Sequence, residues 1–126
     1  MSILGALLGK GPSGFGYGST AELVTEGLNL TGQSLLVTGA ASGLGKETAR
    51  VLMARGARVL AAGRSKDSVR AALGSLPGEF VALECNLAEP ASVRSCVQHL
   101  TRENAKLTAI IANAGIMALP KLEQAY

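Results

Sequence analysis

From Ser34 onward the chain alternates between short apolar runs and stretches whose apolar residues recur every three or four positions. Ser34-Leu35-Leu36-Val37-Thr38 has the length and character of a strand buried in a parallel sheet. Lys46 to Arg55 reads as helix, and Gly56 stands where a left-handed residue ends one. Arg58-Val59-Leu60-Ala61-Ala62 predicts a second strand, after which Ser65 is placed to cap a helix through about Leu73. Gly74 to Gly78 reads as loop, Phe80-Val81-Ala82-Leu83-Glu84 as a third strand, and the residues through Asn86 as loop again. Pro90 suits the first turn of a helix carrying Val93, Val97 and Leu100 on one face. Leu107 to Ala112 predicts a fourth strand, apolar enough to be buried on both sides.

Ahead of this alternation, residues 1–27 form a glycine-rich leader with a short helix. Ser19 and Glu22 have capping-box spacing, so the helix is expected to start at Ser19, reach about Glu26 and stop at Gly27. Asn29-Leu30-Thr31-Gly32 is a turn feeding the first strand. Residues 28–126 then read as the N-terminal part of a larger domain. Its class is α/β, a Rossmann-type doubly wound parallel sheet of about four strands in the order 3-2-1-4. The reversal between strands 1 and 4 opens a crevice for ligands. Strand 4 would lie at an outer edge with unpaired backbone groups, where sheets of this type normally continue. The sheet is therefore expected to be incomplete, with Met117-Ala118-Leu119-Pro120 running into the break.

Composition narrows the chemistry. At 126 residues, 48% of them hydrophobic and 17% charged, there is room for one globular domain with one core. The net charge of +3 comes from 12 scattered basic residues with few aromatics beside them, which argues against nucleic acid as a partner. Asp67 is the single Asp and His99 the single His, so most carboxylate-pair and histidine-based catalysis is excluded within this chain. Cys85 and Cys96 form no C-x-x-C and belong to no metal-ligand cluster; they read as buried or half-buried thiols in a reducing compartment. No apolar run approaches the ~20 residues that span a bilayer. Ile3-Leu4-Gly5-Ala6-Leu7-Leu8 is too short for a secretory signal and reads as a leader, or as a patch that touches a membrane or another protein. With no targeting signal, the cytosol is the expected compartment.

The chemistry concentrates where the first strand meets its helix, at Thr38-Gly39-Ala40-Ala41-Ser42-Gly43-Leu44-Gly45. Glycines there let the backbone turn tightly and approach a ligand, and the helix start offers free N–H groups and partial positive charge to a diphosphate. The alternative is a glycine turn that only packs a helix on a strand. A P-loop is excluded, because Ala40 stands where its first glycine belongs and Glu47 where Ser or Thr must follow the lysine. At the end of the second strand, Ala62-Gly63-Arg64 places no carboxylate for a ribose 2′-hydroxyl but a guanidinium that matches a 2′-phosphate, with Ser42 offering a further hydroxyl. NADP(H) is accordingly favoured over NAD(H). Arg64 as a solvated loop cation is the competing reading. Asn86, with Leu87 after it, is placed to meet an adenine edge and equally to be an ordinary turn former. Asn113-Ala114-Gly115 follows the fourth strand at the crevice, where small residues let a cofactor lie against the backbone and Asn113 can tie adjacent strands together; a plain strand-ending turn is the alternative.

Together, Thr38 to Gly45 and Ala112-Asn113-Ala114-Gly115 resemble the short-chain dehydrogenase/reductase family, with its T-G-x-x-x-G-x-G motif and its N-N-A-G motif bearing Ala112 in place of the first Asn. The likeness covers about Leu28 to Met117. Phe15 to Glu22 and Asn113 to Met117 look most like the retinol-dehydrogenase-like members, which include Tic32-type proteins of the plastid envelope, so plastid or membrane association is the alternative location. The resemblance implies interconversion of a small alcohol and a carbonyl by hydride transfer. Gly39, Ser42, Gly43, Leu44 and Gly45 would hold the diphosphate and nearby ribose, Arg64 the 2′-phosphate, and Asn113, Ala114 and Gly115 the nicotinamide side. Asn86 departs from the family's usual Asp. Family catalysis rests on Ser plus Tyr-x-x-x-Lys, in which Tyr transfers a proton and Lys lowers its pKa. Tyr17 has Ala21 four residues on and Tyr126 has no Lys after it, so no catalytic residue and no metal ligand is assigned. The rival readings are a short form that binds nucleotide or a partner without catalysis, and a Rossmann-type module for another nucleotide.

Overall fold

The computed structural model describes residues 9–116. Helix α1 (Ala21–Val24) precedes strand β1 (Ser34–Thr38), followed by α2 (Gly43–Ala54), β2 (Arg58–Gly63), α3 (Lys66–Leu73), β3 (Glu79–Glu84), α4 (Pro90–Arg102) and β4 (Ala109–Ile111). All strand pairs are parallel and the order is β3-β2-β1-β4, as the alternation predicts. Leu36 lies opposite Leu60 on one side and Ile110 on the other, which puts the carboxyl ends of β1 and β4 side by side.

Strand alternation divides the core between the two faces of the sheet. Val37, Val59 and Ala61 point to one face, where Ala49 and Met53 of α2 and Val69 and Leu73 of α3 cover them. Leu60, Ala62 and Leu83 point to the other, beneath Cys96 of α4. Ser65 caps α3 by accepting from Ser68 N–H at 3.2 Å, and Gly56 takes the left-handed conformation (φ +91°) just after α2.

Five details differ from the sequence reading. Thr20, not Ser19, caps α1, accepting from Leu23 N–H at 3.2 Å, because the Ser19 hydroxyl is taken by Gly16 N–H at 3.0 Å. The helix is also shorter than expected, closing at Thr25. In α2 the glycines enter the helix, which starts at Gly43 because Ser42 is the extended residue ahead of it. On α4, Cys96 faces the sheet while Val97, one residue round the helix, is 56% exposed. β4 is three residues long and open: Ile110 is 62% exposed, against the expectation of burial on both faces, because β1 is its single neighbour among the described residues.

Helix α1 is fastened to α2 and its C-terminal cap. Arg55 donates to Glu22 O at 2.8 Å and to Thr25 Oγ1 at 3.1 Å, and Arg50 bridges Glu22 and Glu47 at 3.2 and 2.8 Å. The Arg50 bond holds the Glu47 carboxyl below its usual range. Such exposed pairs are weakened by solvent screening, so they orient α1 more than they stabilise the domain. The Ile3–Leu8 patch, the 117–120 segment and Tyr126 lie outside the described residues.

Candidate functional site

The two motifs, more than seventy positions apart, meet at the carboxyl ends of β1 and β4. Asn113 Nδ2 donates to Thr38 O at 3.1 Å, and Ala114 N–H donates to Thr38 Oγ1 at 3.0 Å. Asn113 thus ties the strands across the reversal point. A plain strand-ending turn needs neither bond.

The glycine turn is built against this junction. Gly39 has φ +68°, a conformation costly for any residue with a Cβ, and a Cβ there would stand 3.0 Å from Ala114 Cα and 3.1 Å from Asn113 Nδ2. A Cβ on Gly45 would strike Gly39 O and come within 2.5 Å of Asn113 Nδ2. Gly43, at φ +52°, has nothing within 4 Å of its Cβ position, so its requirement is conformational, not steric. Ala40 is fully buried and donates to Ala62 O at 3.1 Å, which fixes the turn to the end of β2.

The start of α2 is open to a ligand. Ser42 is exposed and its hydroxyl makes no capping bond; Lys46 N–H closes the first helical turn on Ser42 O at 3.1 Å. The N–H groups of the residues just ahead have no acceptor one turn back, which is the arrangement that binds an anion together with the positive end of the helix dipole. Leu44 is 80% exposed on this rim. Lys46 is exposed on the helix surface.

Arg64 is exposed immediately beyond β2. Gly63 brings that strand end close to the glycine turn: its Cβ position is 2.6 Å from Val69 Cγ2 and 3.7 Å from Ala41 Cβ. Beyond β3, Cys85 N–H donates to Gly63 O at 2.8 Å, which continues the row of strand ends. Asn86 is engaged as a turn former. Its Oδ1 accepts from Ala88 N–H at 3.2 Å and its Nδ2 donates to Glu89 Oε1 at 2.9 Å. Leu87, 46% exposed, is the open surface of that loop. Gly39, Gly45, Asn113 and Ala114 are therefore in direct contact. Ser42, Gly43 and Leu44 form the rim, Arg64 and Leu87 lie along the neighbouring strand ends, and Gly115 leads away with open space about it. A separate cavity of about 340 Å³ opens under Ser34, Arg58 and Lys106, at the amino ends of the strands and away from this row. The fixed donors, not that cavity, mark the candidate site.

The model of the short chain dehydrogenase family matches residues 33–125. This chain belongs to the short-chain dehydrogenase family. It is 39% identical over 126 residues to short-chain dehydrogenase TIC 32 A, chloroplastic, of Brassica napus, covering 95% of this chain and 39% of the relative. Among solved structures, it resembles a metagenomic short-chain oxidoreductase in complex with NADP (29% identity, TM-score 0.62, 69% of this chain and 41% of that one). It also resembles a Pseudomonas aeruginosa RhlG/NADP active-site complex (31% identity, TM-score 0.65, 71% and 37%). The chain spans about two-fifths of the length of these relatives.

Within the short-chain dehydrogenase fold this chain supplies an oxidoreductase nucleotide-binding unit, and the family's cofactors are nicotinamide dinucleotides. Its groups fit one, since the Gly45 cradle, the uncommitted Ser42 hydroxyl and the open α2 start converge at the crevice. Three contributors escaped the sequence reading. Thr38 anchors Asn113 and Ala114, Ala40 pins the turn, and Gly63 makes room beside it. Thr38 was signalled by its place at the head of the motif; the contacts of Ala40 and Gly63 cross between elements and leave no local pattern. Among the described residues no helix is long and apolar enough to cross a membrane, and no three or more His, Cys, Asp or Glu gather to hold a metal.

Proposed function

We propose that this chain binds NADP(H) for a short-chain dehydrogenase that interconverts an alcohol and a carbonyl. The observation that carries the reading is the junction itself: Asn113 and Ala114 seated on Thr38 and Gly39, directly beneath an α2 start with unspent N–H groups. In that arrangement Gly39, Ser42, Gly43, Leu44 and Gly45 receive the diphosphate and its adjoining ribose. Asn113, Ala114 and Gly115 line the nicotinamide side. The bound nicotinamide supplies or accepts the hydride. Asn86 and Leu87 bound the adenine through the loop surface, with the Asn86 amide spent on its own turn.

Arg64 decides the cofactor preference in this reading. It is exposed at the end of β2, where an acidic residue would favour NAD(H). A charge-assisted bond to a 2′-phosphate is worth about 1.5–3 kcal/mol, roughly 10- to 150-fold in affinity. Calorimetric titration tests it: NADPH should bind at least tenfold more tightly than NADH, and Arg64→Asp should invert the order. Equal affinities that Arg64→Asp leaves unchanged would remove the assignment.

A second reading, a form that binds nucleotide or a partner without turnover, draws on the open edge of β4, where Ile110 is 62% exposed. Assaying NADPH oxidation with a panel of small aldehydes and ketones separates it from the first. The likeness to a chloroplastic relative favours a plastid over the cytosol, which imaging of a fluorescent fusion checks.

A further inference from the structure

Two thiols that cofactor binding does not use meet beneath the adenine-side loop. Cys85 directly follows β3 and is half-buried; Cys96 lies on the sheet-facing side of α4 and is 7% exposed. They come from separate elements, and both pack on the cluster of Leu60, Ala62 and Leu83. Burial pushes the Cys96 thiol up to about 11, with the neighbouring Cys85 adding to the rise, while Lys66 pulls it down.

We propose that Cys85 and Cys96 form a reversible intramolecular disulfide, with a small disulfide such as oxidised glutathione as oxidant. Cys85 attacks first, being the more accessible sulfur. Its thiolate displaces one glutathione thiolate, which takes up the proton that Cys85 lost, and a mixed disulfide remains on Cys85. Cys96 then gives up its proton and attacks the Cys85 sulfur, expelling the second glutathione as thiol. Two S–H bonds are lost and one S–S bond is gained, and one oxidised glutathione is reduced to two thiols. Once Cys85 carries the mixed disulfide it can no longer hold a negative charge. A cause that raises the Cys96 pKa thus disappears at the step where Cys96 must ionise.

The bond would close a ring containing Asn86, Leu87, Glu89 and the first turn of α4. An S–S bond is about 2.05 Å long, so two unbonded thiols must be drawn together, and the loop moves toward α4. Asn86 is attached to that movement through its N–H bond to Ser92 Oγ (3.0 Å). Resting on the NADP(H) reading, oxidation should then weaken NADPH binding about 5-fold, the lower end of ordinary coupling between sites.

The test equilibrates the purified chain in mixtures of reduced and oxidised glutathione, then counts alkylated thiols and measures intact mass. The expected product is a monomer lighter by two hydrogen atoms, with no alkylatable thiol, restored by dithiothreitol. Cys85→Ser should show no such loss. Cys96→Ser and Cys96→Ala should each trap one glutathione on Cys85. Thiols that stay alkylatable throughout, disulfides found only between chains, or a two-hydrogen loss that persists in Cys85→Ser would overturn the proposal. NADPH titration of both forms reads the coupling: equal affinity in a fully oxidised sample overturns that part. If the reduced protein binds no NADPH, the cofactor reading fails while the mass result still decides the disulfide.

Discussion

Replacing Gly45 with Ala sets two physical effects against each other. Helix propensity alone favours Ala over Gly by about 0.8–1 kcal/mol, so an argument from the α2 sequence expects stabilisation. The packing reverses the sign. The added Cβ strikes Gly39 O, and it falls 2.5 Å from Asn113 Nδ2 and 2.8 Å from Gly39 C. Two of these neighbours are main-chain atoms of a turn held by the left-handed Gly39 and by the Ala40–Ala62 bond, so they cannot yield as a side-chain tip would. Overpacking of this kind costs about 1–3 kcal/mol. Displacing Asn113 also weakens its bond to Thr38 O, worth about 1 kcal/mol. The net is a loss of about 1–3 kcal/mol after the propensity gain, which at this size lowers Tm by about 4–10 °C. The same displacement misaims the N–H groups at the start of α2, so NADPH affinity should fall at least about tenfold. Thermal unfolding by circular dichroism and calorimetric titration measure both. A Gly45→Ala protein with a higher Tm and unchanged NADPH affinity would refute the steric reasoning.

Four other substitutions probe the β4 loop, the core and the Cys96 thiol. Asn113→Ala and Thr38→Val each remove one of the two bonds that fasten the loop after β4, at about 0.5–1.5 kcal/mol apiece. Because both bonds hold the same loop, urea unfolding of the double variant should show less than the sum of the two losses; simple additivity would mean they act independently. Leu73→Ala deletes a fully buried side chain of α3 and should cost about 2–5 kcal/mol by the same assay, and a loss below 1 kcal/mol would contradict its place in the core. The Cys96 thiol gives a pH signature. Its folded pKa is raised from 9.0 to about 11, so between those values the folded chain keeps a proton that the unfolded chain has released. That contribution to stability is complete below pH 9 and is lost as pH climbs to about 11. Cys96→Ala should flatten this part of the decline; an identical decline in both proteins would place the thiol in solvent.

Much of the fold was legible because its signals are local. The β1 run, the Ser65 cap, the Gly56 stop and Pro90 at the head of α4 each act within a few residues, and each lies where the sequence reading put it. Where the reading slipped, a competing partner had intervened or an expected neighbour was missing. The Ser19 hydroxyl went to Gly16 N–H, so the cap of α1 fell to Thr20. Val97 has the right chemistry for a buried face, yet the rotation of α4 on the sheet presents Cys96 instead. Ile110 looks like a doubly buried strand residue, but a strand is buried only if neighbours arrive on its faces, and hydropathy does not report their arrival.

The candidate site divides along the same line. The glycine spacing and the asparagine motif identify a nucleotide fold from the sequence alone, since φ above zero and close backbone approach are demands that glycine meets within its own turn. Folding decided which residues touch. Gly45 must lack a Cβ because Gly39 O and Asn113 occupy the space, and Asn113 reaches that space only because the crossover through α4 returns β4 to the side of β1. Likewise, the meeting of Cys85 with Cys96 depends on how α4 lies across the sheet. Backbone conformation is a property of a few neighbouring residues. Contact between elements depends on the whole path of the chain, and no short window of sequence contains that path.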